Sequence, residues 1–354
     1  MGGHMDKVRI GFVGVGNMGQ CAHLKNYSVI PDCEVAAIAE LRPNKARRVA
    51  DKYGIPRVYG DAAEMLRNED LDGIVCIQPF TRQGVILPEL YAAGIPVLTE
   101  KPLAASVAVG ERLLSALQSG GSWHMVAYHK RSDPATMYAK REIERLCQTG
   151  ELGAMRYVRI TMPPGDWIAG GFDDLVRSDE PLPVLEQDPP AQDMDSESFK
   201  QYVSFVNYYI HQVNLLRHLL GEPYRVTHAD RGGVLLVAES QSGVTGVIEM
   251  SPYQTTVDWQ ESAMVSFERG YVRIDLPAPL ASNRPGKVEV FTDRGKGDIP
   301  MFARPQLPWV SAMRQQAINY VRAIKGEARP PCEAPEALED LCVARDYLRL
   351  WKGV

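Results

Sequence analysis

Three stretches of the chain carry residue types that could do chemistry. The first is Val8-Arg-Ile-Gly-Phe-Val-Gly14-Val-Gly16-Asn17-Met18-Gly19. A GxGxxG pattern is informative only in context, and here it follows an apolar β-branched run and opens a stretch with helical spacing. In that setting Gly14 suits the tight turn, Gly16 lets the backbone approach a pyrophosphate, and Gly19 lets helix and strand pack closely. The helix N-terminus adds unpaired N–H groups for the phosphates, with Asn17 and Met18 beside them. Glu40 follows Gly19 by 21 residues. A carboxylate there accepts both ribose hydroxyls and repels a 2′-phosphate, which favours NAD. Arg42 and Arg47 stand close enough to keep NADP open.

The second stretch is Ile95-Pro-Val-Leu-Thr-Glu100-Lys101-Pro102, where an apolar strand ends abruptly in two charges. Strand ends of an open α/β sheet face the ligand crevice, and Pro102 holds Lys101 in extended backbone. A lysine there could hold a substrate hydroxyl and tune a proton transfer, or could form a solvated turn. In the third, Asn207, His211, Asn214 and His218 recur at helical spacing as one polar stripe, opposite Ile210, Val213 and Leu220. Taken alone, that stripe also fits a plain solvent face. No metal site is expected: seven residues along a helix place His211 and His218 roughly 10 Å apart, too far to share an ion.

Elements able to position these residues are legible around them. Apolar runs at Val8–Val13, Val35–Ala39, Gly73–Ile77, Pro96–Leu98 and Met125–Ala127 alternate with helical stretches, as in βα units with a parallel sheet. An amphipathic helix follows over Pro134–Cys147, stopped at Thr149-Gly150. Beyond Gly153, runs at Arg156–Thr161, Arg225–Ala229, Gly243–Met250, Ser262–Phe267, Tyr271–Leu276 and Val288–Phe291 predict a second, antiparallel or mixed sheet. Helices over Trp309–Ile324 and Ala334–Trp351 complete the pattern. The expected domains are 5–127 and 128–354, with the C-terminal helix packing back on the first. Met1-Gly2-Gly3-His4, ahead of Met5, reads as a cloning remnant.

Residues 163–200 stand apart, with ten acidic residues, two basic ones and six prolines. So long a stretch without periodicity is a solvated excursion or a lid over a site, and Trp167, Ile168 and Phe172 favour the lid.

At 354 residues, 45% hydrophobic and 23% charged, the chain is globular and too long for one ordinary core. A net charge of −5 argues against a nucleic-acid partner. No apolar run approaches the ~18 residues of a membrane span, and no signal peptide opens the chain. The six cysteines form no CxxC pair and read as reduced thiols of a cytoplasmic protein.

Taken in order, these pieces resemble the Gfo/Idh/MocA family of sugar and inositol oxidoreductases. The resemblance rests on Gly14-x-Gly16-x-x-Gly19, on Glu100-Lys101-Pro102, and on Arg131 with Pro134 ahead of the helix ending Gly150-Glu-Leu-Gly153. The helix bearing His211 and the turn Phe267-Glu-Arg-Gly270-Tyr-Val-Arg-Ile-Asp275 extend it over nearly the whole chain. It implies an α/β fold: a doubly wound Rossmann domain, then an α+β domain on a large, open, mostly antiparallel sheet. That sheet's far face commonly makes homodimers or homotetramers, and an uncovered apolar face would itself drive association.

The resemblance further implies that Lys101 orients the reacting hydroxyl and His211 takes its proton, with Asn207 and Tyr208 beside them. The cofactor would be held by Gly14, Gly16, Asn17, Met18, Gly19, Glu40, Arg42, Pro79, Gln83, Glu100 and Lys101. The substrate, a sugar, amino-sugar, glycoside or cyclitol, would meet Lys101, Arg131, Trp167, Asn207 and His211. Three departures stand out. Asn207 and Asn214 replace carboxylates usual in the family, making His211 a weaker base, and Gln83 stands where a histidine is common. Two alternatives stay open: an NAD(P)-binding regulator without turnover, and glycoside cleavage through transient oxidation. An acidic lid would favour an amino-sugar.

Overall fold

The computed structural model describes residues 7–295 and 297–353, so the N-terminal Met1-Gly2-Gly3-His4 remnant lies outside the described residues. The first sheet has six strands: β1 (Val8–Val13), β2 (Cys33–Ala39), β3 (Arg57–Tyr59), β4 (Gly73–Cys76), β5 (Val97–Glu100) and β6 (His124–Ala127). They run parallel in the order β3-β2-β1-β4-β5-β6. Their near-continuous apolar character follows from burial on both faces, with Ile10, Phe12, Ile38, Ile74, Val75, Val97 and Leu98 all fully inaccessible. The order reverses between β1 and β4, the switch point where such sheets bind ligands.

The second sheet has eight strands: β7 (Met155–Met162), β8 (Tyr224–Ala229), β9 (Leu235–Ser240), β10 (Thr245–Met250), β11 (Glu261–Phe267), β12 (Gly270–Leu276), β13 (Lys287–Thr292) and β14 (Met301–Ala303). Their order is β14-β13-β12-β11-β7-β10-β9-β8, antiparallel except for the parallel pair β7–β10. Alternation puts Val158, Ile160, Val265, Val272 and Ile274 on the covered face. The other face carries Arg159, Thr161, Glu249, Ser262, Arg273 and Asp275. Beside these polar groups the same face carries a cross-strand aromatic row, Tyr157, Tyr271, Phe291 and Phe302.

The chain forms two compact units that are not contiguous in sequence. The first takes the residues up to Tyr128 together with Gly171–Phe199 and Gln316–Leu341; the second takes His129–Gly170, Lys200–Gln315 and the residues from Cys342 onward. This division differs from a simple 5–127 and 128–354 split. The acidic stretch divides at Gly170, and the C-terminal helix Ala334–Lys352 is shared. Tyr320 shows why Gln316–Leu341 belongs to the first unit. Its hydroxyl donates to the Ile74 and Pro96 carbonyls at 2.9 and 2.8 Å, and its ring meets Tyr27 and Trp123 edge-on.

Four of the six cysteines are buried and none is paired; burial pushes the thiol of Cys21 up to about 11 and those of Cys33 and Cys76 up to about 12. No helix among the described residues is long and apolar enough to cross a membrane.

His124 on β6 makes stability pH-dependent. It is wholly buried between the Tyr91 and Thr99 hydroxyls, at 2.7 and 2.8 Å, and burial pushes its imidazole down to about 3. Below its ordinary pKa near 6.5 the unfolded chain binds a proton that the folded chain refuses. The contribution is therefore complete above about pH 6.5 and is lost as pH falls towards 3, at up to ~1.4 kcal/mol per pH unit. His124→Gln is expected to narrow the difference in urea stability between pH 7 and pH 5 by about 2 kcal/mol. An unchanged difference would remove His124 from the account.

Candidate active site

In the first unit, a cleft of about 640 Å³ opens at the C-terminal ends of the parallel strands. It is within the size range of small-ligand sites. Gly14, with φ +90°, makes the turn after β1, and its N–H donates to the Ala39 carbonyl at 2.9 Å. A Cβ on Gly19 would stand 2.6 Å from the Gly14 carbonyl oxygen, so only glycine lets the following helix pack there. A Cβ on Gly16 would meet nothing within 4 Å and would project into space that Gly16 itself lines. That bare backbone is the surface a pyrophosphate requires. Asn17 and Pro79 line the same cleft, whereas Met18 packs against the core.

Glu40, at the end of β2, is buried at the cleft wall. Its carboxylate accepts the Val15 N–H at 3.1 Å and the Arg42 guanidinium at 2.6 Å. Burial alone would raise its pKa, but the Arg42 hydrogen bond and the Val15 N–H hold it below the usual carboxylate range. Arg42 is thereby tied to Glu40, and Arg47 is exposed outside the cleft lining. The cleft residues fit a dinucleotide with its adenosine ribose on Glu40.

At the end of β5, Glu100 accepts from His23 Nε2 at 2.7 Å and from the Lys101 N–H at 3.2 Å. Burial would raise the Glu100 pKa; the His23 hydrogen bond and charge, and then Lys101, hold it down. Gln83 is buried and donates to the Glu100 carbonyl at 3.1 Å. Glu100 and Gln83 thus fix the strand end from which Lys101 projects, and the Lys101–Pro102 peptide is cis.

The second unit carries His211. The helix Ser196–Tyr208 stops one residue short of the helix Ile210–Leu220, so Asn207 and His211 sit on separate helical segments rather than on one regular turn. Two bulky tyrosines meet at this joint: the rings of Tyr208 and Tyr209 are edge-on at 5.0 Å, and the Tyr209 hydroxyl bonds Ser251. The polar stripe is not a solvent face. Asn207 is exposed, His211 and His218 are half-buried, and Asn214 is buried. Arg131, also buried, donates to the Asn214 side chain at 2.6 Å. Burial, then the positive charges of Arg131 and Lys140, press the His218 pKa well down. Trp167 accepts from the Leu280 N–H through its carbonyl.

Around His211 the structure gathers groups that the motifs alone do not announce. The His129 ring stands edge-on to the His211 ring, with centroids 4.6 Å apart. Lys130 pairs with Glu261, which also accepts from Gln212 Nε2 at 2.7 Å and Trp259 Nε1 at 3.1 Å. Glu261 shares the covered face of β11 with Ala263, Val265 and Phe267, and an acid at that register is the signal that could have marked it. His23 had a similar one, four residues beyond Gly19 in an otherwise apolar turn. Among the described residues no cluster of three or more His, Cys, Asp or Glu could hold a metal ion.

Residues 8–128 match the model of the oxidoreductase family with an NAD-binding Rossmann fold, Gfo/Idh/MocA. Over 364 residues the chain is 23% identical to the inositol 2-dehydrogenase of Rhizobium meliloti, covering 97% of this chain and 96% of that one. It is 24% identical to the scyllo-inositol 2-dehydrogenase (NAD(+)) of Bacillus subtilis, over 69% and 67% of the two chains. The crystal structure of an oxidoreductase domain protein from Kribbella flavida shares the fold, with a TM-score of 0.74 at 19% identity, covering 99% of this chain and 98% of that one. The glycine turn, the Glu40 wall and the Lys101 strand end all lie within residues 8–128, the part of the chain that matches the Gfo/Idh/MocA oxidoreductase family with its NAD-binding Rossmann fold.

Proposed function

We propose that the protein is an NAD-dependent dehydrogenase that moves hydride between the nicotinamide and a secondary alcohol or ketone of a sugar, amino-sugar, glycoside or cyclitol. The observation that carries the reading is the cleft at the switch point, with bare backbone at Gly16 and a charged Glu40 on its wall. Names of relatives that act on inositols place cyclitols first among the substrates to try.

The bound nicotinamide supplies the hydride acceptor. Lys101, projecting from a strand end fixed by Glu100 and Gln83, holds the reacting hydroxyl. The His211 imidazole takes the hydroxyl proton, with the edge-on His129 ring and the neighbouring Gln212–Glu261 hydrogen bond limiting its movement. With Asn207 in place of a carboxylate, no charge at that position strengthens the base.

The test is to mix the protein with NAD⁺ and, separately, NADP⁺ against a panel of inositols, sugars, amino-sugars and glycosides, and to follow reduced nicotinamide by absorbance. Lys101→Ala is the control. A signal that this variant abolishes supports the reading. Nucleotide binding without hydride transfer to any polyol would overturn it.

A further inference from the structure

The acidic stretch does something in the first unit that no motif announces. Residues 171–195, irregular throughout, lie across that unit as a strap. Gln20, in the first turn beyond the glycine motif, exchanges hydrogen bonds with the backbone of Val176 at 2.9 and 3.1 Å. Asp174 pairs with Lys52, and the Arg177 carbonyl accepts from Arg48. Further on, Leu182 and Leu185 line the cleft, the Glu186 carbonyl accepts from Arg82, and Asp188 accepts the Gly84 N–H at 2.9 Å.

Between these anchors lies Glu180, on the N-terminus of the helix Pro43–Tyr53. That helix has no capping side chain of its own and no acid in its first turn. Its donors are met from 135 residues away. The Glu180 carboxylate accepts the Asn44 N–H at 3.1 Å, the Lys45 N–H at 2.8 Å, the Asn44 side-chain amide at 3.0 Å and the Ser178 hydroxyl at 3.0 Å. Burial would raise its pKa, but the N–H groups of Asn44 and Lys45 hold it down, so it is an anion at neutral pH.

We propose that Glu180 is a cofactor-specificity residue: its carboxylate occupies the place that the 2′-phosphate of NADP would need, and so confines the cleft to NAD. The inference rests on the dinucleotide reading of the cleft. With the ribose on Glu40, a 2′-phosphate would face the first-turn donors of the helix that begins at Pro43, the usual anion position. The donors there that would meet a phosphate are already engaged by carboxylates. Arg42 is paired with Glu40, and Lys45, which lines the cleft, carries Glu180 on its own N–H. A phosphate of charge about −2 would meet two carboxylates within this small cluster.

A residue that only caps a helix would affect stability and leave nucleotide choice unchanged, and that contrast defines the experiment. Affinities of the wild type, Glu180→Gln and Glu180→Ala are measured by calorimetry for NADH, NADPH, 5′-AMP and 2′,5′-ADP at low and high salt. Glu180→Gln keeps the shape and the hydrogen-bonding oxygen, and circular dichroism checks the fold of each variant. The expected result is binding of NADPH and 2′,5′-ADP strengthened on the order of tenfold, more at low salt, with NADH and 5′-AMP within about twofold. Equal changes for both nucleotide pairs, or none, would overturn the proposal. Failure of the wild type to bind NADH at all would instead remove the dinucleotide reading, and this proposal with it.

Discussion

Lys101→Ala is expected to lower turnover by about 10²–10⁴-fold while NADH affinity stays within a few-fold of wild type. The separation follows from where the lysine stands. The cleft for the nucleotide is lined by Gly14, Gly16, Glu40 and Arg42, and Lys101 is not among its lining residues. Lys101 projects from a strand end whose backbone is fixed by Glu100 and Gln83, so truncating it deletes a donor without moving that backbone. His211→Ala is expected to lose a similar factor, because the proposed mechanism makes His211 the proton acceptor. Steady-state kcat on the substrate identified from the panel, set beside NADH titration by fluorescence, checks both variants. Near-wild-type kcat in either would strike that residue from the mechanism.

The second large effect lies beneath His211. Glu261 is fully buried and Lys130 nearly so, and the pair is completed by Gln212, Trp259 and the Trp259 ring face, 5.6 Å from the lysine nitrogen. Glu261→Gln preserves volume but leaves an ammonium without its counter-charge in a dry interior. The expected cost is about 3–5 kcal/mol of stability, read as a lower urea midpoint. A compensating change should recover most of it: Lys130→Met in the Glu261→Gln background removes the stranded charge, and the double-mutant cycle gives a strong coupling. If Glu261→Gln alone costs under about 1 kcal/mol, the pair does not hold this part of the second unit together.

What could be read beforehand was local. The glycine turn, the strand ahead of it and the acid closing the next strand are set by short-range sterics and a 21-residue spacing, so they are visible in the residues themselves. The parallel and mixed sheets were legible for the same reason, since burial on both faces and burial on one leave different periodicities. Strand β3 escaped notice because Arg57-Val58-Tyr59 is short and mostly exposed at a sheet edge. The destination of the acidic stretch was not legible either. Its anchors join residues 104 to 156 positions apart, and irregular backbone carries no period to announce them. The polar stripe fits a solvent face as well as a site, because polarity alone does not distinguish water from a buried partner such as Arg131.

The interleaving of the two units has a consequence for how the chain is made. Tyr27 and Trp123 emerge from the ribosome early, but Tyr320, which packs against both rings and bonds the carbonyls of Ile74 and Pro96, emerges some two hundred residues after Trp123. Until then the nascent parallel sheet lacks part of its cover, and the backbone N–H of Val126 awaits the Cys332 carbonyl that it finally meets at 3.0 Å. Synthesis at roughly 5–20 residues per second makes that wait on the order of ten seconds or longer, during which an apolar surface is open to wrong partners. The first unit is thus begun first yet completed only near the end of synthesis, and its yield in a cell should depend on what shields it in the interval.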